Sequence, residues 1–278
     1  MEARTPAEIL AYTSDVGLAK TQRSISAVLI LAFFAGAFIA FASGVSNMAA
    51  YNLFAESATY GLGRTLAGAL FGSGLMLVIL AGGELFTGNM LIVISVLDRR
   101  VAARKMFLNW LLVYTGNLAG AVFVAWLKYH STLFDSSGGL LGGVTINIAA
   151  YKTTIPFHAA FILGFLCNWL VCLIVWAAYA AKDVAGKVLV IFFLIWLFAT
   201  SGFEHSVANM YYIPAGILAK QNPEWLAMSY YSAEQLAGLN WGSFFVKNLI
   251  PVTLGNIVGG AFMVGVLYWF SLRKKIEK

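Results

Sequence analysis

The chain has 278 residues, of which 60% are hydrophobic and only 11% charged. Soluble domains carry roughly 25% charged residues, so a soluble globular domain is excluded. The formal net charge of +6 falls between apolar runs and not along a groove with interleaved aromatics, which excludes a nucleic-acid-binding surface. The apolar runs are long and uninterrupted, unlike the alternating segments of about ten residues found in membrane barrels. Backbone groups in lipid must be satisfied internally, which leaves an all-α integral membrane protein.

In chain order, residues 1–25 form a polar segment of mixed charge with no signal-peptide pattern, expected in the cytoplasm. Six apolar runs follow, each long enough for the roughly 20 residues of a spanning helix. They cover about Ser26–Ala50, Thr65–Leu97, Met106–Leu127, Phe157–Ala181, Val188–Ala219 and Phe244–Leu272. Residues 26–272 thus read as one transmembrane domain, and 273–278 as a cytoplasmic C-terminal tail. The second and fifth runs exceed a simple span. They are interrupted by Gly82-Gly83-Glu84-Leu85-Phe86-Thr87-Gly88-Asn89 and by Ser201-Gly202-Phe203-Glu204-His205-Ser206-Val207-Ala208-Asn209-Met210, so both are expected to be broken helices. Thirteen Lys and Arg residues fall on one side of this arrangement and five, Arg64 and Lys152 among them, on the other. The excess puts both termini in the cytoplasm of a multi-pass protein of the cell inner or plasma membrane.

The halves resemble each other. Glu84-x4-Asn89-Met90 matches Glu204-x4-Asn209-Met210. Asn109-x6-Gly116-Asn117-x2-Gly120 matches Asn248-x6-Gly255-Asn256-x2-Gly259. Three spans per half, repeated in order, give an inverted 3+3 repeat of the kind that carries transport sites at its broken helices. The additional residues of the second half are expected between Lys220 and Ser243.

Ionisable side chains at bilayer depth mark a partner or a water-filled path. Glu84 and Glu204 are twins, so both read as structural acids at the breaks, held by backbone N–H groups. Asn89 is read with them, and the remaining buried Asn residues read mainly as interhelical glue. Thr87 offers a hydroxyl to a passing solute. His205 has no twin, since Leu85 takes its place, and an unperturbed His titrates near pH 6.5. It reads as a proton-active residue of the path. Lys152 by spacing alone is a snorkelling lysine. Phe71, Leu75, Leu85, Phe86 and Phe198 by composition alone are core. Cys167 and Cys172 fit no metal or redox spacing, and neither a metal site nor a cofactor is expected.

Glu84 to Asn89, Cys167-Asn168-Trp169-Leu170-Val171-Cys172, Ser201 to Met210 and Asn248-Leu249-Ile250-Pro251-Val252-Thr253-Leu254-Gly255-Asn256 together resemble the formate/nitrite transporter family. The resemblance covers about Ala27 to Phe270. It implies an aquaporin-like fold, a homopentamer, and a separate anion path in each protomer. It also implies that the lysine sixteen residues ahead of the asparagine of the fourth span draws anions into an outer vestibule. Lys152 and Asn168 keep that spacing. Thr87, His205, Asn168 and Asn209 become path residues, and Phe71, Leu75, Leu85, Phe86 and Phe198 the constrictions. The expected activity is passage of a small monovalent anion, formate or nitrite, with protonation to the neutral acid near His205. The partners are the anion, a proton and the bilayer. A hydrosulfide or lactate channel is the alternative within the family. An aquaporin-like solute channel would carry Asn-Pro-Ala at both breaks and an Arg at the constriction; here Gly88-Asn89-Met90 and Ala208-Asn209-Met210 stand there, and no Arg is expected nearby. A membrane enzyme would need a nucleophile–base or metal constellation, which the lone buried His does not supply.

Overall fold

The computed structural model describes residues 2–273. The tail at 273–278, with the Lys274, Lys275 and Lys278 charges, lies outside the described residues save for Arg273. All regular structure among them is helical.

Helix α1 (Pro6–Gln22) begins at a capping box. Thr5 Oγ1 accepts the Glu8 N–H, and the Glu8 carboxylate accepts the Thr5 N–H at 2.7 Å. This reciprocal pair satisfies two of the donors that a helix start leaves open. The segment expected to be merely polar is thus folded, and it is fastened to the bundle. The Arg4 N–H donates to the Ala180 carbonyl at 3.0 Å, Arg4 Nη1 donates to the Tyr179 carbonyl at 2.7 Å, and Tyr12 meets Tyr179 edge-on at 5.1 Å.

Helix α2 (Ile25–Phe54) starts at Ser24, whose hydroxyl caps the Ala27 N–H. Helix α3 (Tyr60–Leu77) runs into a π turn, Val78–Gly82. An irregular stretch and a 3-10 turn, Gly88–Leu91, lead to α4 (Ile92–Leu97). Then come α5 (Ala103–Tyr129), α6 (Leu140–Thr154), α7 (Phe157–Ala180) and α8 (Val184–Thr200). After another irregular stretch stand α9 (Ser206–Ala219), short α10 (Pro223–Ala227) and α11 (Ala233–Ala237), and α12 (Trp241–Leu272). Among the described residues α2, α3 with its π turn, α5, α7 and α12 are long and apolar enough to cross a membrane, while Gly88–Leu97 and α8 are shorter apolar helices.

Apolar runs alone do not single out α6. Its Leu141, Val144, Ile146 and Ala149 are interleaved with Gly142, Gly143, Thr145 and Asn147, yet nearly all of these are buried. Close helix approach explains the small residues. A Cβ on Gly142 would stand 2.5 Å from the Trp225 ring, so bulk here would push the α10 indole away. The same logic joins α2 to α5 and α7 to α12. A Cβ on Gly36 would lie 2.1 Å from the Asn117 carbonyl oxygen, and one on Gly259 would lie 2.1 Å from that of Phe165.

The irregular stretches after α3 and after α8 are tied by the same bonds. Each is preceded by a glycine in the left-handed region, Gly82 at φ 92° and Gly202 at φ 82°, a conformation that costs other residues their Cβ clearance. The Glu84 N–H donates to the Leu31 carbonyl at 3.1 Å, and the Glu204 N–H to that of Leu163 at 3.3 Å. Asn117 accepts the Phe86 N–H and donates to the carbonyls of Ala32 and Glu84. Asn256 accepts the Ser206 N–H and donates to the carbonyls of Gly164 and Glu204. Backbone that leaves the helix at this depth would otherwise carry unpaired groups.

Candidate functional site

Each irregular stretch holds one carboxylate in the core, and its partners differ from the sequence expectation. Glu84 and Glu204 are not held by backbone N–H groups. Their oxygens take side-chain donors from other elements. Asn89 Nδ2 donates to Glu84 Oε2 at 2.7 Å and to Asn109 Oδ1 at 2.8 Å; Asn209 Nδ2 donates to Glu204 Oε2 at 2.7 Å and to Asn248 Oδ1 at 2.8 Å. A buried charge needs a counter-charge, and each carboxylate has one. Lys20 Nζ, from the last turn of α1, stands 2.7 Å from Glu84, and Arg23 Nη1 donates to the other Glu84 oxygen. Lys152 Nζ, from the last turn of α6, stands 2.6 Å from Glu204. Short spacing in sequence favours backbone capping of such a carboxylate; contacts across 52 to 64 residues are invisible to it.

His205 ends the second irregular stretch and is the N-cap of α9. The Ala208 N–H donates to its Nδ1 at 3.1 Å. Because Nδ1 accepts, the ring proton of the neutral imidazole sits on Nε2. Nε2 lies 3.0 Å from Thr87 Oγ1, so the Nε2–H donates to that oxygen and the Thr87 hydroxyl proton is free to be given to a third group. Thr87 itself is fixed by its carbonyl, which accepts from Asn168 Nδ2 at 3.2 Å and from Cys172 Sγ at 3.3 Å. Asn168 also donates to the Asn256 carbonyl at 2.7 Å. It therefore positions Thr87 and does not stand free on a path.

A cavity of about 210 Å³ opens onto this centre. Of the residues singled out from sequence, Phe71, Lys152, Phe198, Glu204, His205 and Asn209 line it. The Phe71 and Phe198 rings are 6.1 Å apart and Phe198 is 6.2 Å from the His205 ring, so an aromatic wall leads to the imidazole. Thr87 lies behind His205. Leu75, Leu85 and Phe86 are buried and do not line the cavity, Phe86 packing edge-on against Tyr114 at 4.8 Å. Asn89 belongs with Glu84 at the other stretch. Lys152, expected as the cation of the cavity, spends its charge on Glu204 and is stacked 5.4 Å over Tyr212.

Sequence reasoning missed Arg64 and Asn47, which also line the cavity. The expectation of no Arg near the breaks is corrected here. Arg64 Nη2 donates to the Ala199 carbonyl at 2.8 Å, and a Cβ on Gly202 would lie 3.0 Å from it. The contact spans 135 residues, and only the fold reveals it.

A model of the formate/nitrite transporter family matches residues 7–270. The chain belongs to that family. A probable formate transporter of Methanothermobacter thermautotrophicus is 39% identical, with 98% of each chain covered. A formate channel FocA of Haemophilus influenzae is 36% identical over 95% of this chain and 93% of that protein. A solved pentameric formate channel with formate bound superposes with a TM-score of 0.79 at 37% identity, covering 89% of this chain and 97% of that one. A second solved structure, an ion channel of the same family, gives 0.78 at 28% identity, covering 95% and 98%. This formate/nitrite transporter family member is thus a multi-pass membrane transport protein and not an enzyme. The family membership accounts for the apolar side chains left exposed around the bundle, such as Phe34, Phe41, Leu111, Ile162 and Phe193.

Proposed function

We propose that the protein passes a small monovalent anion, formate or nitrite, through each protomer, with the anion crossing the apolar part of the path as its neutral acid. The observation that carries this reading is the His205 Nε2–Thr87 Oγ1 bond of 3.0 Å at the wall of a cavity bounded by Phe71 and Phe198. A bare anion moving past aromatic and aliphatic side chains loses hydration that nothing there replaces. Loss of water raises the proton affinity of a carboxylate, so the anion takes up a proton as it enters. His205 and Thr87 supply an N–H and an O–H in series, which orient the solute by hydrogen bonds; the proton it takes up arrives as hydronium from the aqueous side, leaving water. Since Nδ1 is engaged by the Ala208 N–H, the ring acts in its neutral form as a hydrogen-bond donor and keeps its proton. Leu75, Leu85 and Phe86 form the second apolar barrier, on the far side of Thr87.

The architecture that goes with this reading has six crossings, α2, α3 with α4, α5, α7, α8 with α9, and α12. The two composite crossings are broken helices, and the halves are an inverted repeat. Matching bonds at Glu84 and Glu204, and at Asn117 and Asn256, support it. Five copies assemble, as in the solved pentameric relative, and the axis between them is not the anion route. Both termini face the cytoplasm of the cell membrane.

Flux of formate, nitrite, hydrosulfide and lactate into liposomes, with internal pH recorded, tests the proposal. Formate or nitrite is expected to move with protons, and His205→Phe to lose both the rate and its pH dependence. Variants at His205 that keep the rate and the pH profile of the parent would overturn it. Faster movement of hydrosulfide or lactate would reassign the substrate within the family.

A further inference from the structure

The ion pair at Glu204 leaves the attraction of anions to another residue. Lys152 and Glu204 stand 2.6 Å apart, so at the distance of an approaching solute their fields largely cancel. Arg64 lines the same cavity, and its hydrogen-bond partner in the fold is a neutral one, the Ala199 carbonyl at 2.8 Å. It makes no salt bridge among the described residues; the cavity carboxylate, Glu204, has its oxygens taken by Lys152, Asn209 and Asn248. A guanidinium has five N–H donors in a planar fork, and this one is held by the carbonyl end of α8 with the rest of the fork uncommitted. The residue stays charged at every relevant pH.

A second observation lies on the neighbouring helix. Asn47, on α2, also lines the cavity, is 4% exposed, and its Nδ2 has no hydrogen-bond partner. Buried amide donors are nearly always satisfied. Ser46, next to it, donates to the Ala67 carbonyl at 2.9 Å, which fixes α2 against α3 about one turn from Arg64. A cation with open donors and a buried amide with an unused N–H thus flank one aqueous pocket, ahead of the His205–Thr87 centre.

We infer that Arg64 and Asn47 form an anion-binding station that captures the ionised solute, a small planar oxyanion of the carboxylate class, before it reaches His205. This rests on the transport reading above and assigns its entry step. The guanidinium fork matches two oxygens of a carboxylate. The station selects for charge, whereas the aromatic wall beyond it selects for the neutral form.

The test is formate uptake into liposomes holding the parent protein, Arg64→Gln, Arg64→Lys or Asn47→Ala, as a function of formate concentration and ionic strength. In the parent the half-saturating concentration is expected to rise with salt, since exposed fields are screened within about 10 Å at 0.1 M. R64Q is expected to raise it at low salt by about tenfold, in line with focusing of a charged solute by a cleft, to flatten the salt dependence, and to leave the maximal flux within about twofold. R64K should keep the parental salt dependence, since the charge remains, with a half-saturating concentration between those of the parent and R64Q, since the fork is lost; N47A should show a smaller rise at unchanged salt dependence. R64Q with parental half-saturation and salt dependence overturns the station while leaving transport intact. R64K that loses the salt dependence as R64Q does also overturns it, because the charge would then not be what acts. No rise in N47A removes the amide from the station. A parent protein that moves no small anion refutes the transport reading itself and the station with it.

Discussion

The Glu84 and Glu204 regions are built alike and used differently. Both follow a left-handed glycine, both bury a carboxylate against an Asn pair, and both draw a lysine from the last turn of a separate helix, α1 or α6. The bonds that recur therefore belong to the scaffold, and the differences mark the chemistry. Leu85 stands where the second region has His205, and Thr87 where it has Val207. The imidazole comes from one region and the hydroxyl from the other, and they meet at 3.0 Å. Neither region holds the pair alone. The counter-charges differ too. Glu84 has two cations, both from the N-terminal segment and one of them 42% exposed; Glu204 has one, 13% exposed.

Removal of the carboxylates should separate the two regions most strongly. Glu204→Ala leaves Lys152 buried without a partner, and breaking a buried pair in this way costs about 3–5 kcal/mol. A marked fall in the thermal midpoint of the purified protein is expected. Glu84→Ala should lose less, since Arg23 can turn to solvent; an equal or larger loss would show that the two sites are not held as described. Next in size is the exchange that makes the second region copy the first. His205→Leu should lower formate flux by about tenfold or more, since the hydrogen bonds of the ring, worth about 0.5–1.5 kcal/mol each, are lost, and also lose the cap of α9. His205→Asn keeps a capping side chain, so it should lower flux similarly with near-parental thermal stability. A stable and fully active Asn variant would show that the ring has no role beyond the cap. Thr87→Val, the same swap in the other direction, removes one hydroxyl. With a hydrogen bond worth about 0.5–1.5 kcal/mol, formate flux should fall roughly two- to tenfold with little change in stability. Lys20→Met is expected to have the smallest effect, about 1 kcal/mol, because Arg23 and Asn89 still meet Glu84 and the carboxylate keeps a counter-charge. Hydrogen exchange across α1 would register it; no change at all in α1 would mean that Arg23 alone secures the helix.

Much of this comparison is legible in the sequence. Long apolar runs announce the bundle, the repeated Glu-x4-Asn marks the two stretches, and the absence of a twin singles out His205. Three things were not legible, for one physical reason. Glu84 was expected to take backbone donors, because the cations that hold it are 61 and 64 residues away. Lys152 was expected to be an attracting charge, because its carboxylate partner is 52 residues on. Arg64 entered only the count of loop charges. Sequence spacing reports what lies on one helix face; pairing across helices depends on the fold. Helix α6 escaped for a different reason: the glycines that let it pack against Trp225 also lower its mean hydropathy.

Helix α1 is fastened at both ends, by Arg4 to the last residues of α7 and by Lys20 and Arg23 to Glu84. Synthesis runs from the N-terminal side, so α1 emerges ahead of the helices it packs on. Its anchors at Tyr179 and Ala180 do not exist until well over half of the chain has been synthesised. A helix made ahead of its anchors can complete its docking only once Glu84 and the end of α7 are both in place.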